Sequence, residues 1–198
     1  EGPNENAMAL TSTGGSSGAE RLMVVMRMDG NDGSAWGNHQ SKNYYASLSV
    51  TSGRTWSKAA EMRDVNGRGI GTARPRMILL GGTLLLTGSR VLSSDDSDYC
   101  LWESADGLGQ KFTAHSLTYH HNRLVKDPKQ RIGAWCNGTN VTAPGQQCGG
   151  YTSIVPLDRE NALVMYSSDT VDDGERIFTM RVSLKTEDSS EIPHVGTS

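Results

Sequence analysis

The eight residues Ser49-Val50-Thr51-Ser52-Gly53-Arg54-Thr55-Trp56 constrain this chain more than any other stretch. Small polar side chains in such a run fold back on their own backbone, and a central glycine supplies a conformation that a Cβ opposes. The run is therefore a turn. Thr55 and Trp56 are expected to open a strand, with Trp56 burying its ring against the next layer. A degenerate second copy follows at Ser104-Ala105-Asp106-Gly107-Leu108-Gly109-Gln110-Lys111-Phe112. It carries Asp106 where the first copy has Thr51, holds one extra residue and ends on Phe112 in place of Trp. The two leading serines lie 55 residues apart. A four-stranded propeller blade repeats at about 40 to 50 residues, more with long loops, so the spacing fits one such turn per blade.

Apolar runs fill the space between the turns. Arg21 to Arg27 is apolar nearly throughout, as a strand buried on both faces would be. Tyr44 to Val50 is a strand feeding the first turn, and Trp56 to Met62 leaves it. Pro75 to Leu80 and Thr83 to Thr87 flank Gly81-Gly82, a strong hairpin signal. Tyr99 to Glu103 leads into the second turn. Tyr151 to Leu157, Ala162 to Ser167 and Arg176 to Leu184 give three more strands. His115 to Gly150 is an irregular insertion, and the polar residues from 187 onward form a flexible tail, leaving 1–186 as one unit. The expected fold class is all-β: an incomplete β-propeller of about three antiparallel four-stranded blades. Three blades do not close a ring, which takes about four to eight. The expectation is that the chain belongs to a longer propeller.

Composition narrows the partners. A net charge of -3 and a pI near 6.0 give no signature of nucleic-acid or membrane binding, and no apolar run approaches the roughly 18 residues of a spanning helix. Cys136 and Cys148 flank a Gly/Asn/Thr-rich loop, as the ends of a disulfide-closed loop would. Cys100 is left over as a small buried strand residue. The same loop holds two glycosylation sequons, Asn137-Gly138-Thr139 and Asn140-Val141-Thr142. Together they point to a secreted or lumenal setting. His120-His121 lacks a Cys or carboxylate at ligand spacing, so the pair reads as polar loop residues rather than a metal site. Asp95, Asp96 and Asp98 lack the alternating pattern of a calcium loop and read as a solvated turn. Nothing in the sequence asks for a metal or a cofactor.

Four stretches carry a family resemblance: Glu5 followed by Leu22-Met23-Val24-Val25-Met26-Arg27; the turn at Ser49; Arg74-Pro75-Arg76 through Leu84-Leu85-Leu86-Thr87-Gly88-Ser89-Arg90; and Tyr151-Thr152-Ser153-Ile154-Val155-Pro156-Leu157. Together they resemble the C-terminal half of an exo-sialidase (neuraminidase) catalytic domain, a six-bladed propeller whose hairpins carry the Asp-box, or BNR repeat. The first turn departs from that box at Thr51, where the family has Asp. The resemblance implies a retaining hydrolase that releases terminal sialic acid from a sialylated glycan. It implies Tyr151 as nucleophile and Glu5 as the base that takes its proton. Arg27 and Arg90 would bind the substrate, with Arg74 and Arg76 as competitors for the place given to Arg90. The chemistry is coherent. A carboxylate nucleophile would approach the substrate's own carboxylate, whereas a neutral tyrosine does not, and sialidases are the tyrosine exception among glycosidases. Tyrosine needs a base because it ionises near pH 10 unaided. Arginine forks match a planar carboxylate.

The family's first arginine and its Asp acid/base have no match here, so the 198-residue chain alone is expected not to turn over a fluorogenic sialoside. It is further expected to be a monomer. Two other classes stay open: a non-catalytic Asp-box propeller that binds glycan or protein, and a related propeller enzyme acting on another acidic sugar, since fold does not dictate function. The set Glu5, Arg27 and Tyr151 discriminates them. A binding propeller has no reason to place a Tyr and a Glu within hydrogen-bond reach beside an arginine.

Overall fold

Three antiparallel sheets lie side by side, each opened by its innermost strand. A computed structural model describes residues 3–11, 21–28, 43–71, 73–93, 96–132, 151–169 and 175–184. Sheet one has the order β1 (Pro3–Leu10), β2 (Leu22–Met28), β3 (Tyr45–Ser49), β4 (Ala60–Glu61). Sheet two has the order β5 (Arg76–Leu80), β6 (Thr83–Ser93), β7 (Asp96–Ser104), β8 (Thr113–Ser116). In sheet three, β9 (Thr152–Pro156) pairs with β10 (Asn161–Asp169), which pairs with β11 (Glu175–Ser183). The first strands touch one another, β1 against β5 and β5 against β9. Sheets that meander outward from adjacent inner strands are blades, and the described residues form three blades of a β-propeller, nearly all-β as the sequence pattern requires.

Two hydrophobic cores separate the blades. Between sheets one and two lie Met23, Val25, Tyr44, Met62, Ile70, Leu84, Leu86, Cys100, Trp102 and Phe112. Between sheets two and three lie Leu85, Tyr99, Leu101, Leu117, Ile132, Ile154, Ala162, Val164 and Tyr166. The alternation of strand side chains explains the division. In the middle blade, Leu84 and Leu86 face one core and Leu85 the other, so the whole run is buried. In β2 only Met23 and Val25 are buried, while Val24 and Met26 are half-buried. The expectation that β2 is covered on both faces is therefore corrected. Among the described residues the two-sided strand is β6, which lies in the sheet with a described blade on each side.

The two turns fold as their small residues dictate. Ser49 Oγ accepts the backbone N–H of Gly53 at 2.9 Å, and Thr51 Oγ1 accepts that of Thr55 at 2.8 Å. Thr51 thus performs the acceptor role of an Asp. Gly53 sits at φ +83 after Ser52 at φ +52, the left-handed pair that a Cβ opposes at the second position. In the second turn, Asp106 Oδ1 accepts from Ser104 Oγ at 2.8 Å and from Leu108 N–H at 2.9 Å. These bonds to the charged form hold the Asp106 carboxyl below its usual range, the backbone bond first. One expectation fails here. Trp56 neither opens a strand nor buries its ring: it is 40% exposed, and its indole N–H bonds the Gly53 carbonyl at 3.1 Å. The strand that leaves the turn is only Ala60–Glu61.

The segment after His115 is not irregular throughout. Ser116 closes β8 and caps a helix, α1 (Leu117–Leu124), by accepting Tyr119 N–H at 3.0 Å. A 3₁₀ turn, Pro128–Gln130, follows. The histidine pair lies on α1, not in a loop, and His121 is buried. Its Nδ1 meets the Tyr166 hydroxyl at 2.8 Å, its Nε2 donates to the Gln130 carbonyl at 3.0 Å, and its ring packs edge-on to Phe178. Asp98 is likewise no solvated residue. It is buried in β7 and accepts from Ser116 Oγ at 2.8 Å. Cys100 is buried as expected, and its thiol donates to Asp98 Oδ2 at 3.3 Å. Asp95, Cys136, Cys148, both sequons and the tail lie outside the described residues.

Candidate active site

The registers fix which residues share an end of the blades. In sheet one, Pro3 pairs with Met28, so Glu5 near the start of β1 and Arg27 near the end of β2 lie at one end. Leu10, Leu22 and Ser49 lie at the other. Arg74 precedes β5 by two residues, and Tyr151 immediately precedes β9. Because β5 and β9 each start beside the preceding inner strand, Glu5, Arg74 and Tyr151 gather at the starts of the three inner strands. Both turns sit at the opposite end: Ser49 finishes β3, and Ser104 pairs with Leu84 next to the Gly81-Gly82 hairpin.

Side-chain geometry joins four of these residues. Glu5 is on a strand and 12% exposed; it is not a solvated loop carboxylate. Its Oε2 accepts from Arg27 Nη1 at 2.8 Å and its Oε1 accepts from Arg74 Nε at 2.8 Å. Arg27 is 24% exposed and Arg74 is 41% exposed. The Arg74 guanidinium carbon lies 4.8 Å from the centre of the Tyr151 ring, over its face. The chain Arg27–Glu5–Arg74–Tyr151 thus spans the starts of all three blades, but Tyr151 joins it through Arg74: among the described residues its hydroxyl makes no hydrogen bond to Glu5, so the direct contact expected of nucleophile and base is not formed. A carboxylate this covered requires such pairing, since an uncompensated charge there is costly. Each carboxylate oxygen has two lone pairs, so Oε1 can accept a second hydrogen bond while holding Arg74.

Beneath the cluster lies Tyr44, which sequence reasoning did not single out. It is fully buried, donates to the Ala73 carbonyl, and meets Trp102 edge to face at 6.3 Å. A Cβ at Gly88 would collide with its hydroxyl, so that glycine opens the slot the ring occupies. Burial pushes the Tyr44 hydroxyl strongly up, Arg27 pulls it down and Glu5 pushes it up. Tyr44 is consequently a neutral floor under the ion pairs and no candidate nucleophile. Only its place just before β3 hints at this, and an aromatic before a strand is common.

Arg90 is placed by its backbone alone. It lies on β6 three residues past Thr87, the partner of the first residue of β5, and pairs with Asp98. That is the Arg74 end of the blade and the position on the second strand that Arg27 holds in sheet one. Its side chain lies outside the described structure. Arg76 opens β5, and its Nη1 donates to the Pro75 carbonyl at 3.3 Å. Two clefts are described elsewhere: one of about 270 Å³ between sheets one and two, lined by Met23, Leu48, Met62 and Phe112, and one of about 540 Å³ beside α1, lined by Leu85, Leu101, Leu117 and Val182. Neither includes Glu5, Arg27, Arg74 or Tyr151. Among the described residues there is no cluster of metal ligands and no helix long and apolar enough to cross a membrane.

No protein-family model matches this chain, and no curated protein does. Solved structures do overlap it. A GH93 α-L-arabinofuranosidase of Fusarium graminearum, in complex with arabinobiose, aligns at 14% identity and TM-score 0.48, covering 90% of this chain and 45% of that one. An α-L-arabinanase of Penicillium chrysogenum, also with arabinobiose, aligns at 15% identity and TM-score 0.44, covering 93% and 52%. A Dyadobacter fermentans protein of unknown function aligns at 15% identity and TM-score 0.33, covering 83% and 50%. The chain spans about half the length of these proteins. The two neighbours with a named activity act on arabinose-containing substrates by name, and neither is named a sialidase. At such scores the overlap assigns no activity, and the chemistry has to be argued from the cluster itself.

Proposed function

We propose that this chain contributes the nucleophile side of a propeller glycoside hydrolase acting on an acidic sugar, with a terminal sialic acid on a glycan as the substrate. The observation that supports this reading is the convergence of Glu5, Arg27 and Tyr151, through Arg74, at one end of three inner strands. Tyr151 Oη attacks the anomeric carbon and its proton passes to Glu5. The glycosidic oxygen leaves with a proton from a general acid, the part that the family gives to an Asp with no match in this sequence. Water then attacks the anomeric carbon, giving a proton to the conjugate base of that acid, while Tyr151 leaves and takes its proton back from Glu5, so the two inversions retain configuration. Arg27 and Arg90 grip the carboxylate on the anomeric carbon, where parallel N–H bonds fix its plane as well as its charge. A tyrosine nucleophile suits a substrate that already carries a negative charge at the point of attack. The reaction uses no metal or cofactor, and the cysteine-flanked loop with its two sequons favours a secreted or lumenal setting.

Saturation-transfer NMR on the 198-residue chain tests the reading with N-acetylneuraminic acid, glucuronic acid and arabinose as ligands. The acidic sugars bind in preference to arabinose. Arg27→Ala weakens N-acetylneuraminic acid by about tenfold or more, as expected for the loss of a charge-assisted hydrogen bond. Tyr151→Phe leaves that binding in place. Equal signals for acidic and neutral sugars, or none for any, would overturn the proposal.

A further inference from the structure

Tyr151 has little to hold its ring. It is 55% exposed, it precedes β9 rather than lying in it, and its hydroxyl has no hydrogen-bond partner among the described residues. The contact on its face is the Arg74 guanidinium at 4.8 Å. Arg74 is itself anchored. Its Nε–H is bonded to Glu5 Oε1, and Pro75 restricts the backbone of the preceding residue to extended conformations. The guanidinium can do both things at once. Its hydrogen bonds lie in its plane and its stacking surface lies above that plane, so the bond to Glu5 and the contact with the ring do not compete. An ammonium group offers no such plane.

We propose that Arg74 is a positioning residue for Tyr151: held in plane by Glu5, it fixes the tilt of the phenol ring and so the direction in which the hydroxyl points. The consequence for catalysis rests on the reading of Tyr151 as nucleophile. Glu5 then has two tasks, accepting the phenolic proton on a free lone pair and holding the arginine that aims the phenol. Attack on an anomeric carbon requires a near-attack geometry, and a half-exposed tyrosine at a strand start does not keep one unaided. Arg27, bound to the other oxygen of Glu5, completes a chain that ties the aim of the nucleophile in the third blade to the first.

The test uses the 198-residue chain with 3-fluorotyrosine at its six tyrosines, observed by fluorine NMR, with the Tyr151 line assigned through Tyr151→Phe. Arg74→Gln moves that line towards the position of free 3-fluorotyrosine. Glu5→Gln moves it in the same direction, although it alters no atom of Arg74. Arg74→Lys keeps the charge, loses the plane and fails to restore the line. The lines of the buried Tyr99 and Tyr166, in the core between the second and third sheets, remain in place and certify the fold. An unmoved Tyr151 line in Arg74→Gln, or full rescue by Arg74→Lys, overturns the inference. If Arg74→Gln disturbs the buried lines, Glu5→Gln decides in the same way. The readout needs no ligand. A moved line without sugar binding therefore refutes the hydrolase reading and leaves the positioning of Tyr151 standing.

Discussion

Replacing Glu5 by Ala tests the centre of the cluster through stability. The carboxylate receives two charge-assisted bonds of equal length, 2.8 Å, but their surroundings differ. The Arg27 partner is 24% exposed beside a 12% exposed Glu5, so that bond keeps much of its strength. Hydrogen bonds to charged groups contribute about 1.5 to 3 kcal/mol, and the lower end, about 1.5, suits a site that water still reaches. Arg74 is 41% exposed, and solvent screening reduces its share to about 0.5 kcal/mol. Glu5→Ala therefore costs about 2 kcal/mol, which for a chain of this size lowers Tm by about 4 to 8 °C. Urea unfolding followed by tryptophan fluorescence measures the loss. Double-mutant cycles divide it: coupling of Glu5 with Arg27 is about 1.5 kcal/mol, and with Arg74 about 0.5. Raising the salt to 1 M, where the Debye length falls to about 3 Å, shrinks the Arg74 coupling more than the Arg27 coupling. A loss below about 0.5 kcal/mol for Glu5→Ala, or a larger coupling to Arg74 than to Arg27, refutes this division of the cluster.

Three further outcomes follow from the blades. Ser49→Ala and Ser104→Ala, each removing a buried hydroxyl that accepts backbone N–H groups, destabilise by about 1 to 2 kcal/mol in urea unfolding. Thr51→Asp replaces a neutral acceptor by a charged one toward Thr55 N–H and stabilises by about 0.5 kcal/mol, read as a rise in Tm. His121 adds a pH dependence. Burial, opposed by its bond to the Gln130 carbonyl, lowers the folded pKa below the ordinary 6.5, and its ring packs against Tyr166 and Phe178. The unfolded chain then binds the proton first as pH falls. The His121 contribution is full above about pH 6.5 and is lost progressively below it. Wild-type stability should fall more between pH 7.5 and 5.5 than that of His121→Gln, and parallel pH profiles would refute the assignment.

The sequence made some of this legible and hid the rest for identifiable reasons. β6 and the Gly81-Gly82 hairpin were plain, because an apolar run and a glycine pair leave few other structures. β1 was not recognised as a strand. Its first half, Asn4-Glu5-Asn6, has no apolar alternation, since Glu5 is largely covered by pairing with Arg27 and Arg74 rather than by being apolar. α1 was missed although Ser116 is a good cap and Leu117, His121 and Leu124 share a helical face. Short polar helices carry a weak periodic signal, and two adjacent histidines fit a polar loop as well as a helix. Trp56 is large enough for a core, yet its ring stays 40% exposed because its indole N–H bonds the Gly53 carbonyl of its own turn. The motif around Arg74 was visible, and Arg74 was named as a competitor for a binding arginine. Its partner Glu5 is 69 residues away, a pairing that only the adjacency of β1 and β5 creates.

The two ends of each blade are built for different work, and this bears on how the chain can vary. At the turn end, Ser49 and Ser104 satisfy backbone donors within a few residues, so those hairpins close on local hydrogen bonds. At the other end, residues meet that are far apart in sequence, and they are held by charge pairs rather than by apolar packing. Breaking these pairs is costly because it strands a charge, but the pairs add little over apolar packing, and the Arg74 side chain stays 41% exposed, as a binding surface needs. Changes at Ser49 or Ser104 should therefore lower stability while leaving the fluorine line of Tyr151 and the binding of N-acetylneuraminic acid where they are. Changes at Arg74 should do the reverse. If instead Ser49→Ala shifts the Tyr151 line, the two ends are mechanically coupled through β2 and β3, and the separation argued from the registers is wrong.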